Sequence, residues 1–219
     1  ASGVQLAMRH RWTGLRAGPP WQLDFAGPDD APVTAEADAV ILALGGGSWP
    51  ETGSDGAWTA LLEKLGVPLA PLHPANCGWA CAWPPAVRAL AGQPLKNIAA
   101  SAGAERIEGE LLITDYGLEG GALYPLAPTL RAMSAPRIVI DFKPTQTAGQ
   151  LAKKLTGVTR DIFATARQRW RLGEAASAIL FAAAAESLPE VAALAALVKS
   201  CPRALTGPRP LAEAISTAG

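Results

Sequence analysis

The chain has 219 residues, with 19 basic and 19 acidic side chains that cancel. Zero net charge removes the broad electrostatic footprint of a nucleic-acid binder, though not a local patch. Hydrophobic residues make up 49% and charged ones 17%, which excludes extensive disorder. Cys77, Cys81 and Cys201 cannot all pair with one another and match no zinc spacing, so a reducing, cytoplasmic setting is expected.

In chain order, Val4, Leu6 and Met8 alternate with polar or small residues, and Trp21, Leu23 and Phe25 do the same. Both runs predict half-buried strands. After the turn-rich 27–32 comes 37–44, apolar on both faces beyond Asp38, as in a strand buried in the middle of a sheet. It runs into Gly45, Gly46, Gly47 and Ser48. Trp58, Leu61, Leu62 and Leu65 then recur at helical spacing, with Ser54 or Asp55 as cap and Gly66 as terminator.

From 68 to about 145, frequent prolines forbid long helices, and short strands are expected at 78–83, 97–102, 106–113 and 137–142. Such a series suggests a small barrel or sandwich. Helices are expected over 148–156, 160–171, 173–187 and 189–199. Thr147 with Gln150, and Ser187 with Glu190, have the capping-box spacing. The apolar run 175–185 is too short to span a bilayer, which predicts a buried helix and no membrane partner. Residues 211–217 read as an apolar strand.

Chemistry concentrates in two places. Glycines ending a buried strand let a ligand approach the backbone, and the following helix start favours anions; a plain strand-to-helix turn has the same look. The second is Gly109–Ala122, where Asp115 and Tyr116 stand in a polar turn that either lines a cleft or only closes a hairpin. His73, fixed between Pro71 and Pro74, is either a surface residue or an imidazole aimed into a cleft. No dinucleotide-binding or P-loop glycine motif occurs, nor a nucleophile elbow.

Together, VILALGGGSWPETGSDGAW and GELLITDYGLEGGALYPL resemble the two motifs of a group of bacterial FAD-dependent, NAD(P)-type flavoproteins, some of them aminoacetone oxidase-like. The closing AISTAG is similar to the segment through which those chains return to their FAD domain. Leu44 stands where the group has Thr, and Glu119-Gly120-Gly121 where Ser-Gly-Pro is commoner.

The resemblance implies a mixed α+β and α/β chain. Residues 1–66 and 206–219 would close a Rossmann-like FAD-binding domain, 67–146 would be an inserted β-barrel, and 147–205 a helical helix–two-turns–helix subdomain. The phosphate-binding βαβ unit is expected before Ala1 and a flavin-closing segment after Gly219. The insert, 68–205, is expected to fold alone, and the chain alone to hold FAD weakly. Gly45, Gly46, Gly47, Ser48, Thr52, Gly53 and Ser54 are the implied cofactor-binding residues. A branched side chain at Gly46 is expected to abolish flavin retention. His73, Asp115 and Tyr116 are the implied catalytic candidates, acting on a small-molecule substrate with FAD as cofactor and NAD(P)H as a further partner. The alternative is an RNA-binding module, in which Trp170 stacks bases among Arg160, Arg167, Arg169 and Arg171. Neutral charge weighs against it.

Overall fold

The computed structural model describes residues 3–184 and 190–219. The chain divides into two compact units, Ala1–His73 with Thr217–Gly219, and Pro74–Ser216.

The first unit is an antiparallel meander of β1 (Arg11–Arg16), β2 (Trp21–Ala26) and β3 (Pro32–Ala37), in that order. The predicted β2 pairs on both sides, Phe25 facing Trp12 and Val33. Gly27 closes the second turn, its N–H donating to the Ala31 carbonyl at 2.8 Å.

Two expected strands do not form. Residues 3–8 carry no strand, and Val4, Leu6 and Met8 are exposed. The alternation lacks what turns it into a strand: a neighbouring edge and a surface to bury against. Likewise the ladder of β3 ends where Ala37 faces Trp21, and 38–44 has no regular structure, with Ile41 92% exposed. A strand apolar on both faces needs sheet partners and a layer on each side. Among the described residues of this unit there are none.

The helix α1 (Trp58–Lys64) forms as predicted. Asp55 Oδ1 accepts from the Ala57 N–H at 2.9 Å ahead of it. At its end Gly66 has φ +75°, with the Gly66 N–H donating to the Glu63 carbonyl and the Val67 N–H to that of Leu62. This double closure is a Schellman motif, and it needs the left-handed glycine. The two-residue strand β4 (His73–Pro74) follows.

The second unit holds β5 (Trp79–Ala80), α2 (Pro85–Arg88), β6 (Pro94–Ala102), β7 (Glu105–Ile113), β8 (Gly117–Glu119), α3 (Ala127–Ala132) and β9 (Arg137–Asp141). Next come α4 (Ala148–Lys153), α5 (Ile162–Arg169), α6 (Glu174–Ala183), α7 (Val191–Lys199), β10 (Cys201–Ala204) and β11 (Gly207–Pro208). Seven strands form one sheet in the order β10-β9-β6-β7-β8-β5-β11, antiparallel throughout. The strands expected at 97–102, 106–113 and 137–142 are present and that at 78–83 is reduced to Trp79–Ala80, and the expected barrel or sandwich is here a seven-stranded sheet that does not close on itself, its last strand, β11, two residues long. Pro208 and Pro210 leave few N–H groups there for a closing ladder.

Strands and helices bury one continuous core. Leu111, Ile113, Leu118, Ile138 and Ile140 come from the sheet, and Leu151, Trp170, Ile179, Leu180, Leu194 and Val198 from the helices. The Thr147 box is complete: the Gln150 N–H donates to Thr147 Oγ1 at 3.1 Å, and the Thr147 N–H to Gln150 Oε1 at 2.8 Å. Of the second box, Ser187 lies outside the described residues, and Glu190 is the N-cap of α7.

The predicted strand at 211–217 is replaced by a turn of 3-10 helix, Leu211–Glu213, and a short strand β12 (Thr217–Ala218). Arg209 and Glu213 hold that turn together as an i, i+4 pair, Nε to Oε2 at 2.7 Å and Nη2 to Oε1 at 2.9 Å. Among the described residues no helix is long and apolar enough to cross a membrane.

Candidate functional site

In the first unit the glycine run folds around its own return segment. The Gly47 and Ser48 N–H groups both donate to Thr217 Oγ1, each at 3.0 Å. A Cβ on Gly46 would stand 2.4 Å from that oxygen, so Thr217 occupies the space a side chain there would need. Ser54 donates its hydroxyl proton to the Gly46 carbonyl. The Ser54 Cβ also lies 2.9 Å from where one on Gly45 would be, and Gly45 has φ +74°. Thr52 closes a single turn, its hydroxyl donating to the Trp49 carbonyl at 2.8 Å.

The glycines at 45–47 thus serve packing inside the chain. Two of the N–H groups that could meet a ligand are already spent on Thr217.

Open space lies to either side. A cleft of about 800 Å³ is lined by Gly53, Ser54, Asp55, Trp58, Phe25 and Leu44, among others. A second, of about 460 Å³, is lined by Gly45, Gly46, Trp58, Leu72 and Thr217. Trp58 borders both, and its indole Nε1 is buried without a hydrogen-bond partner. A buried donor left unpaired costs of the order of 1–3 kcal/mol, and among the described residues Trp79 Nε1 and Arg203 Nε are left in the same state. Of the residues implied for the cofactor, Gly45, Gly46, Gly53 and Ser54 line open space; Gly47, Ser48 and Thr52 line neither cleft. His73 is exposed in this unit.

In the second unit Asp115 and Tyr116 stand at the turn between β7 and β8. Thr114, not Asp115, makes the turn: its Oγ1 accepts from the Gly117 N–H at 2.9 Å. Asp115 is exposed. Tyr116 donates its phenol proton to Glu119 Oε2 at 2.8 Å, and the Arg209 guanidinium covers its ring at 4.5 Å. Burial first, then the Glu119 carboxylate, holds this phenol well above the ordinary tyrosine range. The phenol therefore keeps its proton and acts as a hydrogen-bond donor, here to Glu119. Gly78 makes room for it, since a Cβ there would lie 2.5 Å from the Tyr116 hydroxyl.

Trp170 is not available as the stacking platform of the RNA-binding alternative. It is 1% exposed, and its Nε1 donates to the Leu151 carbonyl at 3.0 Å. It cannot stack a base. The arginines around it remain on the surface, with Arg169 donating to the Lys154 carbonyl at 2.7 Å.

Sequence reasoning missed Trp58 and Thr217, although both stand inside quoted motifs. The signal was the pairing of a glycine run with a distant threonine, which only contact reveals. The three cysteines are free and buried, and the described residues contain no cluster able to hold a metal ion.

No curated protein matches the chain. The family described as "HI0933-like protein barrel and H2TH domain" matches residues 73–216, the whole second unit with its sheet and four-helix cluster. This family is associated with FAD-dependent flavoproteins. The chain belongs to the HI0933-like family.

Proposed function

We propose that this chain is part of an FAD-dependent oxidoreductase and that its first unit forms one wall of the flavin site. The observation that carries this reading is the unpaired Trp58 Nε1 beside a cleft of about 800 Å³ that also exposes Gly53 and Ser54. A planar cofactor edge rich in carbonyl and nitrogen acceptors fits an indole donor with a glycine beside it. FAD, when bound, supplies the redox chemistry.

The chain's own residues position it. Trp58 presents a donor, Gly53 leaves the backbone bare, and Thr217 locks the 45–48 turn so that the cleft keeps its shape. The cofactor contacts implied for Gly47 and Ser48 shift accordingly to a supporting role. The unpaired apolar segment 38–44 fits a central strand of the Rossmann-like domain that the resemblance implies, covered by neighbours from elsewhere in the protein. Division into a partial FAD domain and an inserted barrel-and-helix part belongs to the same reading. So do a small-molecule substrate, NAD(P)H as a partner, and His73, Asp115 and Tyr116 at the substrate cleft. Of these three, Tyr116 is suited to donating a hydrogen bond rather than abstracting a proton.

Titration of FAD into the purified chain, read by flavin fluorescence polarisation, tests the site. Weak binding is expected, lost on Gly53→Leu and weakened several-fold by Trp58→Phe. Polarisation that stays flat at millimolar protein, or binding indifferent to both changes, would refute the assignment.

A further inference from the structure

The zero net charge hides a division. Residues 1–73 with 217–219 carry 4 basic and 8 acidic side chains, whereas 74–216 carry 15 and 11. Within the second unit the excess is concentrated. Between Lys143 and Arg171 there are seven basic residues (Lys143, Lys153, Lys154, Arg160, Arg167, Arg169 and Arg171) against the single acidic Asp161.

Part of this charge converges on a cleft of about 270 Å³ in the second unit. Its walls are the start of β6, the Phe142–Lys143 stretch after β9, and the α5–α6 turn with the uncapped first turn of α6. Lys96, Lys143 and Arg171 all line it. The Lys143 ammonium donates to the Arg171 carbonyl at 3.1 Å, which brings both residues to the same corner. Among the described residues no carboxylate lies within ion-pair distance of any of the three.

The nearest buried acid is unable to help. Asp141 is committed to Lys199 at 2.7 Å, to Arg106 at 3.0 Å and to the Lys143 N–H at 2.9 Å. Glu174 is the one carboxylate on the cleft wall, and it faces the Gln93 amide at 3.4 Å. Burial, with Lys154 and Arg171 close by, holds the Lys143 ammonium below the ordinary lysine range. Like charges gathered in a partly desolvated hollow repel one another, and a polyvalent anion relieves the repulsion.

We propose that this cleft binds a phosphoryl group, with Lys143 and Arg171 as its principal ligands and Lys96 at the rim. The volume accommodates one phosphoryl group with a small attachment rather than a whole dinucleotide. The inference rests on the second unit alone and does not depend on the flavin reading.

Two probes distinguish a free small molecule from a strand end: pyrophosphate by calorimetry, and a fluorescein-labelled oligothymidylate by anisotropy, both at fixed ionic strength. Lys143→Gln and Arg171→Gln are each expected to weaken binding about tenfold, since either removes a charge-assisted hydrogen bond to the anion. Arg137→Gln, which removes the same charge from an exposed position on β9, should leave it unchanged. Glu174→Gln should tighten it. If pyrophosphate binds with this pattern, the source is a small phosphate; if the oligonucleotide does so and pyrophosphate displaces it, the source is a strand. Thermal melts establish that each variant is folded, and Arg171, being exposed, serves if Lys143→Gln is not. Binding by neither probe, or equal loss in Lys143→Gln, Arg171→Gln and Arg137→Gln, would overturn the proposal.

Discussion

The two units bury apolar surface in opposite measure. In the first, Leu62 is the one buried hydrophobic side chain among the described residues, while Val4, Leu6, Met8, Ile41 and Trp49 stand exposed. The second closes a core around Leu111, Ile113, Ile138, Leu151, Trp170 and Leu194. Because burial of apolar area is the main favourable term in folding, the second unit has its own driving force and the first leaves much of its own unused. The lesson is that a strand pattern and a buried strand are different things: 38–44 has the pattern and lacks the neighbours.

The largest test separates the units outright. Residues 74–216 expressed alone are expected to melt cooperatively with mixed strand and helix dichroism, whereas 1–73 alone should show no cooperative transition. A cooperative melt of the first piece, or an aggregating second piece, would erase the contrast.

Within the full chain, Trp170→Ala should cost about 3–5 kcal/mol by emptying the fully buried site under α4 and removing the indole hydrogen bond to the Leu151 carbonyl. Ile41→Ala, at a residue 92% exposed, should stay within about 0.5 kcal/mol. Denaturant midpoints measure both; similar costs would mean that segment 38–44 is buried after all.

Alkaline pH should weaken the second unit. Cys81 is 8% exposed, and burial pushes its thiol from 9.0 to about 11. Its contribution is fully present below pH 9, where both states keep the proton. It is lost progressively between 9 and about 11, because there the unfolded chain ionises first. Cys77 and Cys201 are shifted the same way by burial. Cys81→Ala should flatten the decline in melting temperature over that range; an unchanged slope would place its cause elsewhere.

In the first unit, Gly46→Ala should destabilise the 45–48 turn, since the new Cβ meets Thr217 Oγ1 at 2.4 Å. Adding Thr217→Ser should not rescue it, because the hydroxyl remains, and Thr217→Gly should not either, because the Gly47 and Ser48 N–H groups then lose their acceptor. Rescue by either pair would mean that Thr217 does not hold the turn. Thr147→Ala should cost about 1 kcal/mol for loss of the capping box, measured by the same denaturant midpoints.

What was legible early was whatever depends on residues close in sequence. The hairpin of β6 and β7, the Thr147 box and the glycine end of α1 each follow from neighbours within a few positions. Ser187, at the same spacing from Glu190, lies outside the described residues, and α7 begins at Val191 with Glu190 as its cap. Of the candidate site, the motif around Gly45–Ser54 was visible, but the partner that fills it, Thr217, was not.

The sequence by itself determined the alternation of elements, most strand and helix positions of the second unit, and the resemblance that points to a flavoprotein. Only the tertiary structure decided that the sheet stays open, that Trp170 is core rather than a stacking platform, and that Thr217 takes the space at Gly46. It also showed that three cations share one hollow. Local pattern is set by backbone sterics and periodicity within a turn or two of chain. Closure, burial and charge convergence instead depend on which distant residues arrive at the same place, as Thr217 does 170 positions after Gly47.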